Sequence, residues 1–310
     1  MGKIAFIFPG QGSQTIGMGK ELAEKYEDVR EIFIRADQVL KRPLTELIFN
    51  GPQEELSWTV NTQPALLTVS VAILTRLQKA GIEPDFVAGH SLGEYSALVS
   101  AQVLSFDDAV RIVEKRGQFM ERAYPQGKGA MAAVLGLDRD VLSELCAAIS
   151  KQGDHVQLAN LNCPGQTKTG VQKAGEEARK KGARRVIPLD GSGPFHSKFM
   201  QAAADELESV LNDVEFHDAR IPVIANVTAK PVTDGNEIKT LLVRQLYSPV
   251  LWEDPVRAMI ARGVNTFIEV GTGRVLSGLV RKIARSVKTF PVNDEESLAK
   301  MIRQLKEDVG

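Results

Sequence analysis

The pentapeptide Gly89-His90-Ser91-Leu92-Gly93 holds a serine placed for nucleophilic chemistry. The apolar run Phe86-Val87-Ala88 before it reads as a buried parallel strand. The residues after it read as a helix with Ala97, Leu98 and Ala101 on one face. A strand that turns into a helix through G-x-S-x-G is a nucleophile elbow: the tight turn lifts the serine hydroxyl above the sheet edge, and the glycines let neighbouring backbone approach. The N–H of Leu92 would lie at the helix N-terminus, where a developing oxyanion is stabilised. The bare pattern also arises by chance, and its plain alternative is a serine capping a helix. The flanking strand and helix favour the elbow.

A nucleophilic serine needs a base within hydrogen-bond reach. Of the four histidines, His155 and His217 fall in polar stretches and His90 adjoins the serine. His196 sits in Ser192-Gly193-Pro194-Phe195-His196-Ser197, a Gly-Pro turn opening a helix, and is the best candidate for the base. Asp190, Asp205, Glu253 and Asp254 are available as a third member, and none carries a local signature. Arg116 lies beside the helical stripe Val110, Val113, Gly117 and Met120. A solvated arginine is the ordinary reading of such a position. A buried one would need a fixed anion, because a guanidinium stays charged and favours carboxylates.

The elements that must position these groups follow an α/β pattern. Strands are expected at 4–8, 86–88, 223–227, 266–270 and 289–292, alternating with helices at 65–79, 106–122, 238–246, 255–262, 275–285 and the C-terminus. Residues 18–57 read as helices broken near Arg42-Pro43 and Gly51-Pro52. Ser105-Phe106-Asp107-Asp108 has the form of a capping box. Composition shifts near Gln126. Strand 130–135, helix 138–151, strand 156–161, helix 176–181 and strand 184–189 then form a βαβ…αβ run similar to a small split-βαβ unit. The piece Gln166-Thr167-Lys168-Thr169-Gly170 is polar where that unit needs its third strand, which the sequence does not place.

Length and charge set the class. With 310 residues the chain can bury a sizeable core, and a net charge of −1 with 25% charged residues points neither to nucleic acid nor to a membrane surface. Cys146 and Cys163 lack metal-ligand or C-x-x-C spacing, so no metal is expected and a reducing compartment is. The chain opens as a strand without a charged-then-apolar leader, and no apolar run reaches membrane length, so a cytoplasmic location is expected. Two glycine loops remain. Pro9-Gly10-Gln11-Gly12-Ser13-Gln14 lacks the phosphate-binding fingerprints and reads as a tight loop at the carboxyl end of a central strand, where the N–H of Gln11 could complete an oxyanion hole with Leu92. Gly271-Thr272-Gly273 reads as loop geometry, with a phosphate site as the alternative. Gln63, ahead of the helix at 65–79, either faces the site or caps that helix. The basic run between Arg179 and Arg185 is a solvated face or a docking patch.

Taken in order, these motifs resemble the malonyl-CoA:acyl-carrier-protein transacylases of bacterial type II fatty-acid synthesis. The likeness rests on Phe8-Pro9-Gly10-Gln11-Gly12-Ser13-Gln14, Thr62-Gln63-Pro64-Ala65-Leu66, Gly89-His90-Ser91-Leu92-Gly93-Glu94-Tyr95, Lys115-Arg116-Gly117, Asn160-Leu161-Asn162 with Pro164-Gly165, Gly193-Pro194-Phe195-His196-Ser197 and Gln245-Leu246-Tyr247-Ser248-Pro249-Val250. It implies an α/β-hydrolase-like large subdomain with a parallel central sheet (residues 1–127 and 192–310) and an inserted ferredoxin-like small subdomain (128–191). It implies Ser91 as nucleophile, His196 as base, the N–H groups of Gln11 and Leu92 as oxyanion hole, and Arg116 as the clamp on a malonyl carboxylate. His90, Gln63, Asn160, Asn162 and Phe195 would line the pocket. A main-chain carbonyl would orient the histidine, expected at Ser248, Val250 or Leu251. The implied substrates are malonyl-CoA and acyl carrier protein, with the coenzyme A thioester as substrate, no cofactor, and a monomer as the acting unit. Arg274, Arg281, Lys282 and the basic residues of 179–185 are docking candidates for an acidic carrier. An esterase or thioesterase, and a non-catalytic carrier-binding module, are the other classes compatible with these residues.

Overall fold

The computed structural model describes residues 2–123, 131–151, 156–163, 166–169, 172–189 and 193–307. Ten strands are present among them: β1 (Lys3–Phe8), β2 (Phe86–Gly89), β3 (Met131–Leu135), β4 (Leu158–Cys163), β5 (Gln166–Thr169), β6 (Arg185–Leu189), β7 (Val223–Ile224), β8 (Pro231–Val232), β9 (Val264–Val270) and β10 (Lys288–Val292). The helices before the elbow are α1 (Lys20–Lys25), α2 (Glu27–Leu40), α3 (Leu44–Asn50), α4 (Gln53–Leu56) and α5 (Thr59–Lys79). After it come α6 (Gly93–Ser100), α7 (Phe106–Ala123), α8 (Arg139–Ser150), α9 (Gln172–Lys180), α10 (Gln201–Asn212), α11 (Gly235–Tyr247), α12 (Glu253–Ile260), α13 (Val275–Ile283) and α14 (Glu295–Glu307). None is long and apolar enough to cross a membrane.

The larger sheet has the order β10-β9-β1-β2-β7-β8 and is parallel except for β8. Side chains alternate across a strand. Phe6 and Phe8 of β1 therefore enter one apolar cluster with α5 and α7, while Ala5 and Ile7 enter another with α12 and α13. Burial on both faces explains why the central strands read as continuous apolar runs. Register brings Phe8 opposite Gly89 and Ile7 opposite Glu269, so the loops after β1, β2 and β9 meet at one sheet edge. Ligands bind at that edge in open α/β sheets.

The smaller sheet has the order β4-β5-β3-β6, all antiparallel, with α8 and α9 following β3 and β5, which is the ferredoxin-like arrangement. The strand that the polar piece 166–170 concealed is β5. Backbone pairing to β3 on one side and β4 on the other defines it, so no apolar periodicity announces it. The boundaries expected at 127/128 and 191/192 lie outside the described residues. The two sheets are tied together where Val250 donates its N–H to the Ala159 carbonyl at 3.0 Å and accepts from Leu161 N–H at 2.8 Å. An Arg139–Asp254 ion pair at 3.0 Å adds to this junction.

Helix α5 starts at Thr59, six residues before the expected start, and Gln63 and Pro64 lie within it. Proline removes one helical donor, and the Val60 carbonyl that loses its partner accepts instead from Arg42 Nη2 at 3.5 Å. Gln63 is therefore neither ahead of the helix nor its cap. The capping box of α7 is present, with Asp108 N–H donating to Ser105 Oγ at 3.1 Å. Gly117 lets α7 close on α5: a Cβ there would stand 2.9 Å from the Thr59 carbonyl oxygen.

Glycine is also required around the elbow, where a Cβ on Gly93 would lie 2.1 Å from the Phe8 carbonyl oxygen. Helix α13 offers the contrast, since a Cβ on Gly278 meets nothing within 4 Å. Gly93→Ala is expected to cost about 3 kcal/mol through forced backbone displacement. Gly278→Ala is expected to add about 0.5–1 kcal/mol by relieving the helix of glycine's entropy. Urea denaturation of the two variants beside the wild type checks both signs.

Candidate active site

Ser91 sits at the elbow between β2 and α6 with φ of 53°, in the left-handed region that costs a non-glycine residue about 1–2 kcal/mol. Asn226, just beyond β7, holds it there. Its Oδ1 accepts from Ser91 N–H at 2.7 Å and its Nδ2 donates to the Gly89 carbonyl at 2.6 Å, bracketing the turn from both sides. The sequence assigned Asn226 only to a strand. Nothing local distinguishes it, because its partners lie more than 130 residues away.

The serine Oγ is 2.7 Å from His196 Nε2, and His196 Nδ1 is 2.9 Å from the main-chain carbonyl of Gln245. A carbonyl can only accept, so Nδ1 carries the proton and Nε2 presents its lone pair to the serine. Three of the four acids considered for this place are engaged elsewhere. Asp205, Glu253 and Asp254 engage Gln201, Arg257 and Arg139, and Asp190 lies outside the described residues. The orienting carbonyl corrects the expectation of Ser248, Val250 or Leu251. The Val250 carbonyl accepts from Leu161 N–H at 2.8 Å, and the Leu251 carbonyl accepts from Asp254 N–H at 3.0 Å. Gln245 lies in the last turn of α11, where carbonyls lack intrahelical partners and one is available to the imidazole.

Arg116 is 1% exposed, so the buried alternative holds. Nη1 donates to Gln63 Oε1 at 2.8 Å, and Nη2 donates to Gln245 Oε1 at 2.9 Å and to Ser91 Oγ at 3.1 Å. Its guanidinium carbon lies 5.6 Å from the Tyr95 ring centroid. Burial pulls the guanidinium below its usual range, opposed by Tyr95 and Glu94. Among the described residues no carboxylate forms an ion pair with it. A buried cation held by two neutral amides and touching the serine oxygen is arranged to receive an anion brought from outside.

The remaining expected residues gather at the same edge. His90 Nε2 is 2.9 Å from Asn162 Oδ1, and its ring lies 5.6 Å from that of Trp252, which is fully buried. Asn160 is buried on β4 with its Oδ1 unpaired among the described residues. Phe195 is half-buried against the core of the larger sheet. Leu92 stands at the N-cap of α6, where N–H groups lack intrahelical acceptors. Gln11 follows β1, and its side chain reaches Thr59 Oγ1 at 3.4 Å.

Glu94, only 2% exposed, is an acid of the elbow helix that no local sequence signal marks as part of the site. Its Oε2 accepts from Gln245 Nε2 at 2.7 Å and from Asn226 N–H at 3.3 Å. Burial pushes its carboxyl from 4.5 up to about 7, against hydrogen bonds from Gln245 and Asn226 and the charge of Arg116. A carboxyl held more basic in the fold than in the open chain binds its proton more tightly when folded. The fold therefore loses stability as pH rises from about 4.5 to about 7, by up to about 3 kcal/mol. Glu94→Gln does not titrate, so its stability relative to the wild type is expected to improve by up to that amount between pH 4 and pH 8. Denaturation curves at the two pH values test this.

Comparison with known proteins shows the family. The family model described as an acyl transferase domain matches residues 5–309. A malonyl CoA-acyl carrier protein transacylase of Bacillus subtilis (strain 168) is 53% identical over 313 residues, covering 99% of both chains. The structure of an acyl carrier protein S-malonyltransferase from Vibrio cholerae superposes with a TM-score of 0.93 at 46% identity, covering 96% of this chain and 99% of that one. A malonyl-transacylase solved in complex with a type II PKS acyl-carrier protein superposes with a TM-score of 0.94 at 42% identity, covering 97% and 99%. The chain belongs to the acyl transferase family, among the malonyl-CoA:acyl-carrier-protein transacylases.

Proposed function

We propose that this chain moves the malonyl group from malonyl-CoA to the phosphopantetheine thiol of acyl carrier protein, through an ester on Ser91, acting as a monomer in the cytoplasm. The observation that carries the reading is the double contact at Ser91 Oγ, with His196 Nε2 at 2.7 Å and Arg116 Nη2 at 3.1 Å. The imidazole supplies the base, and the buried guanidinium places the carboxylate specificity beside the nucleophile.

Ser91 Oγ attacks the thioester carbonyl while its proton passes to His196 Nε2. The Gln245 carbonyl stabilises the imidazolium that forms, in the place an acid holds in many serine enzymes. The oxyanion is received by the N–H groups of Gln11 and Leu92, and its collapse expels the coenzyme A thiolate, which takes the proton from His196. Once Oγ is an ester oxygen it is a poor acceptor, so Arg116 Nη2 is released to the free carboxylate of the malonyl group. The pantetheine thiol then repeats the sequence on the ester, giving ping-pong kinetics. His90, Asn160, Asn162, Gln63 and Phe195 shape the pocket, with residues 128–191 acting as one inserted unit. Of the docking candidates, Arg274 is exposed at the start of α13, beside the turn whose Gly271 backs onto Pro9 at the reactive sheet edge.

Brief incubation with malonyl-CoA is expected to add one malonyl group to the intact protein, none to Ser91→Ala, and a pantetheine thiol is expected to remove it. Steady release of free coenzyme A without an adduct would indicate a hydrolase instead. A charge-assisted, desolvated pair contributes about 1.5–3 kcal/mol, roughly 10- to 150-fold in rate. Arg116→Ala is accordingly expected to lose that factor with malonyl-CoA while still transferring acetyl from acetyl-CoA, and equal losses with both donors would refute the clamp.

A further inference from the structure

Gln245 is a neutral side chain that holds three groups of the site at once. Its Oε1 accepts from Arg116 Nη2 at 2.9 Å, while its Nε2 donates to the Ser91 carbonyl at 3.0 Å and to Glu94 Oε2 at 2.7 Å. A carboxamide can be turned end for end with little change of shape, and then an NH2 would face the guanidinium. The Ser91 carbonyl and the Glu94 carboxylate both demand the donor end, and Arg116 demands the acceptor end. Glu94 is the only charged member of this set on the donor side, and it has no role in the acyl-transfer steps.

Resting on the clamp reading of Arg116, we infer that Glu94 is a positioning residue for malonyl selectivity: its buried carboxylate fixes the direction of the Gln245 amide, which aligns the Arg116 guanidinium beside Ser91. The groups facing Glu94 are Gln245 on α11, the Asn226 main chain after β7, Arg116 on α7 and Tyr95 on its own helix. Arg116 and Tyr95 are the titratable ones. Tyr95 is pushed above its ordinary range by burial and stays neutral through the pH range of assay, so the carboxyl of Glu94, raised to about 7, is the group in this set that changes charge there. Below that pH a protonated Glu94 can itself donate, so of the two acceptors that hold the donor end of Gln245 only the Ser91 carbonyl remains, and the alignment of Arg116 loosens. His196 serves every acyl donor alike, so its own titration cancels in a ratio of donors.

The test compares malonyl-CoA with acetyl-CoA as donors to pantetheine, from pH 6 to pH 9, for the wild type, Glu94→Gln, Glu94→Asp and Arg116→Ala. In the wild type the malonyl:acetyl ratio of kcat/KM is expected to rise as pH increases through about 7. In Glu94→Gln, whose own amide satisfies Gln245 in either direction, the ratio is expected to fall at least 10-fold at pH 8 and to lose its pH dependence. Glu94→Asp is expected to recover part of it. A folded Glu94→Gln with an unchanged ratio, equal losses with both donors, or a wild-type ratio flat across the range would overturn the inference. If Glu94→Gln does not fold, Glu94→Asp beside the wild-type profile decides the matter. Selective loss in Arg116→Ala together with an unchanged ratio in Glu94→Gln would remove the inference alone. An unselective Arg116→Ala would remove the clamp and the inference with it.

Discussion

The hydrogen bond from His196 Nδ1 to the carbonyl of Gln245 is the contact on which the site depends. It selects the tautomer whose Nε2 lone pair faces Ser91 Oγ, and it does so without a carboxylate against the imidazole. A helix-terminal carbonyl supplies the needed partial negative charge at lower cost, because the last turn of α11 leaves it unpaired.

The same residue couples this base to the rest of the machinery. Through its side chain Gln245 touches Arg116, the Ser91 main chain and Glu94. The nucleophile, its base and the cation are thus joined by neutral amides. Gln63 on α5 and Asn226 after β7 extend that frame on the other sides. Amides suit the purpose because each offers a donor and an acceptor in fixed geometry. They hold a guanidinium in place without neutralising it. Arg116 therefore makes no ion pair among the described residues, at the expense of burying a cation whose nearest opposite charge, Glu94, does not touch it.

Strain and support are distributed in the same way. Ser91 and His196 both hold left-handed backbone conformations, with φ of 53° and 58°. Such conformations persist only where the surroundings over-determine them. The Asn226 bracket does this for the serine, and the crowding at Gly93 lets α6 press directly on β1. The small sheet contributes through β4. Its pairing with Val250 carries Asn160 and Asn162 to the reactive edge and brings Asn162 to His90.

Local sequence determined the strand–elbow–helix, the pairing of a loop histidine with the serine as a candidate, most helices and strands, and the family likeness. All but the last follow from periodicity, turn chemistry or residue type within a short window, while the family likeness rests on the order of seven motifs from Phe8 to Val250. The tertiary structure decided what depends on distant partners. It buried Arg116, where helical spacing alone favoured a solvated residue, and it moved the start of α5 to Thr59 because Arg42 takes up the carbonyl freed by Pro64. It made a strand of the polar residues Gln166–Thr169 by backbone pairing on both sides. It also chose Gln245 over Val250 and Leu251, whose carbonyls already accept from Leu161 and Asp254 N–H, and over Ser248. A hydrogen-bonding group can be assigned only after its competitors are known, and those competitors lie far away along the chain.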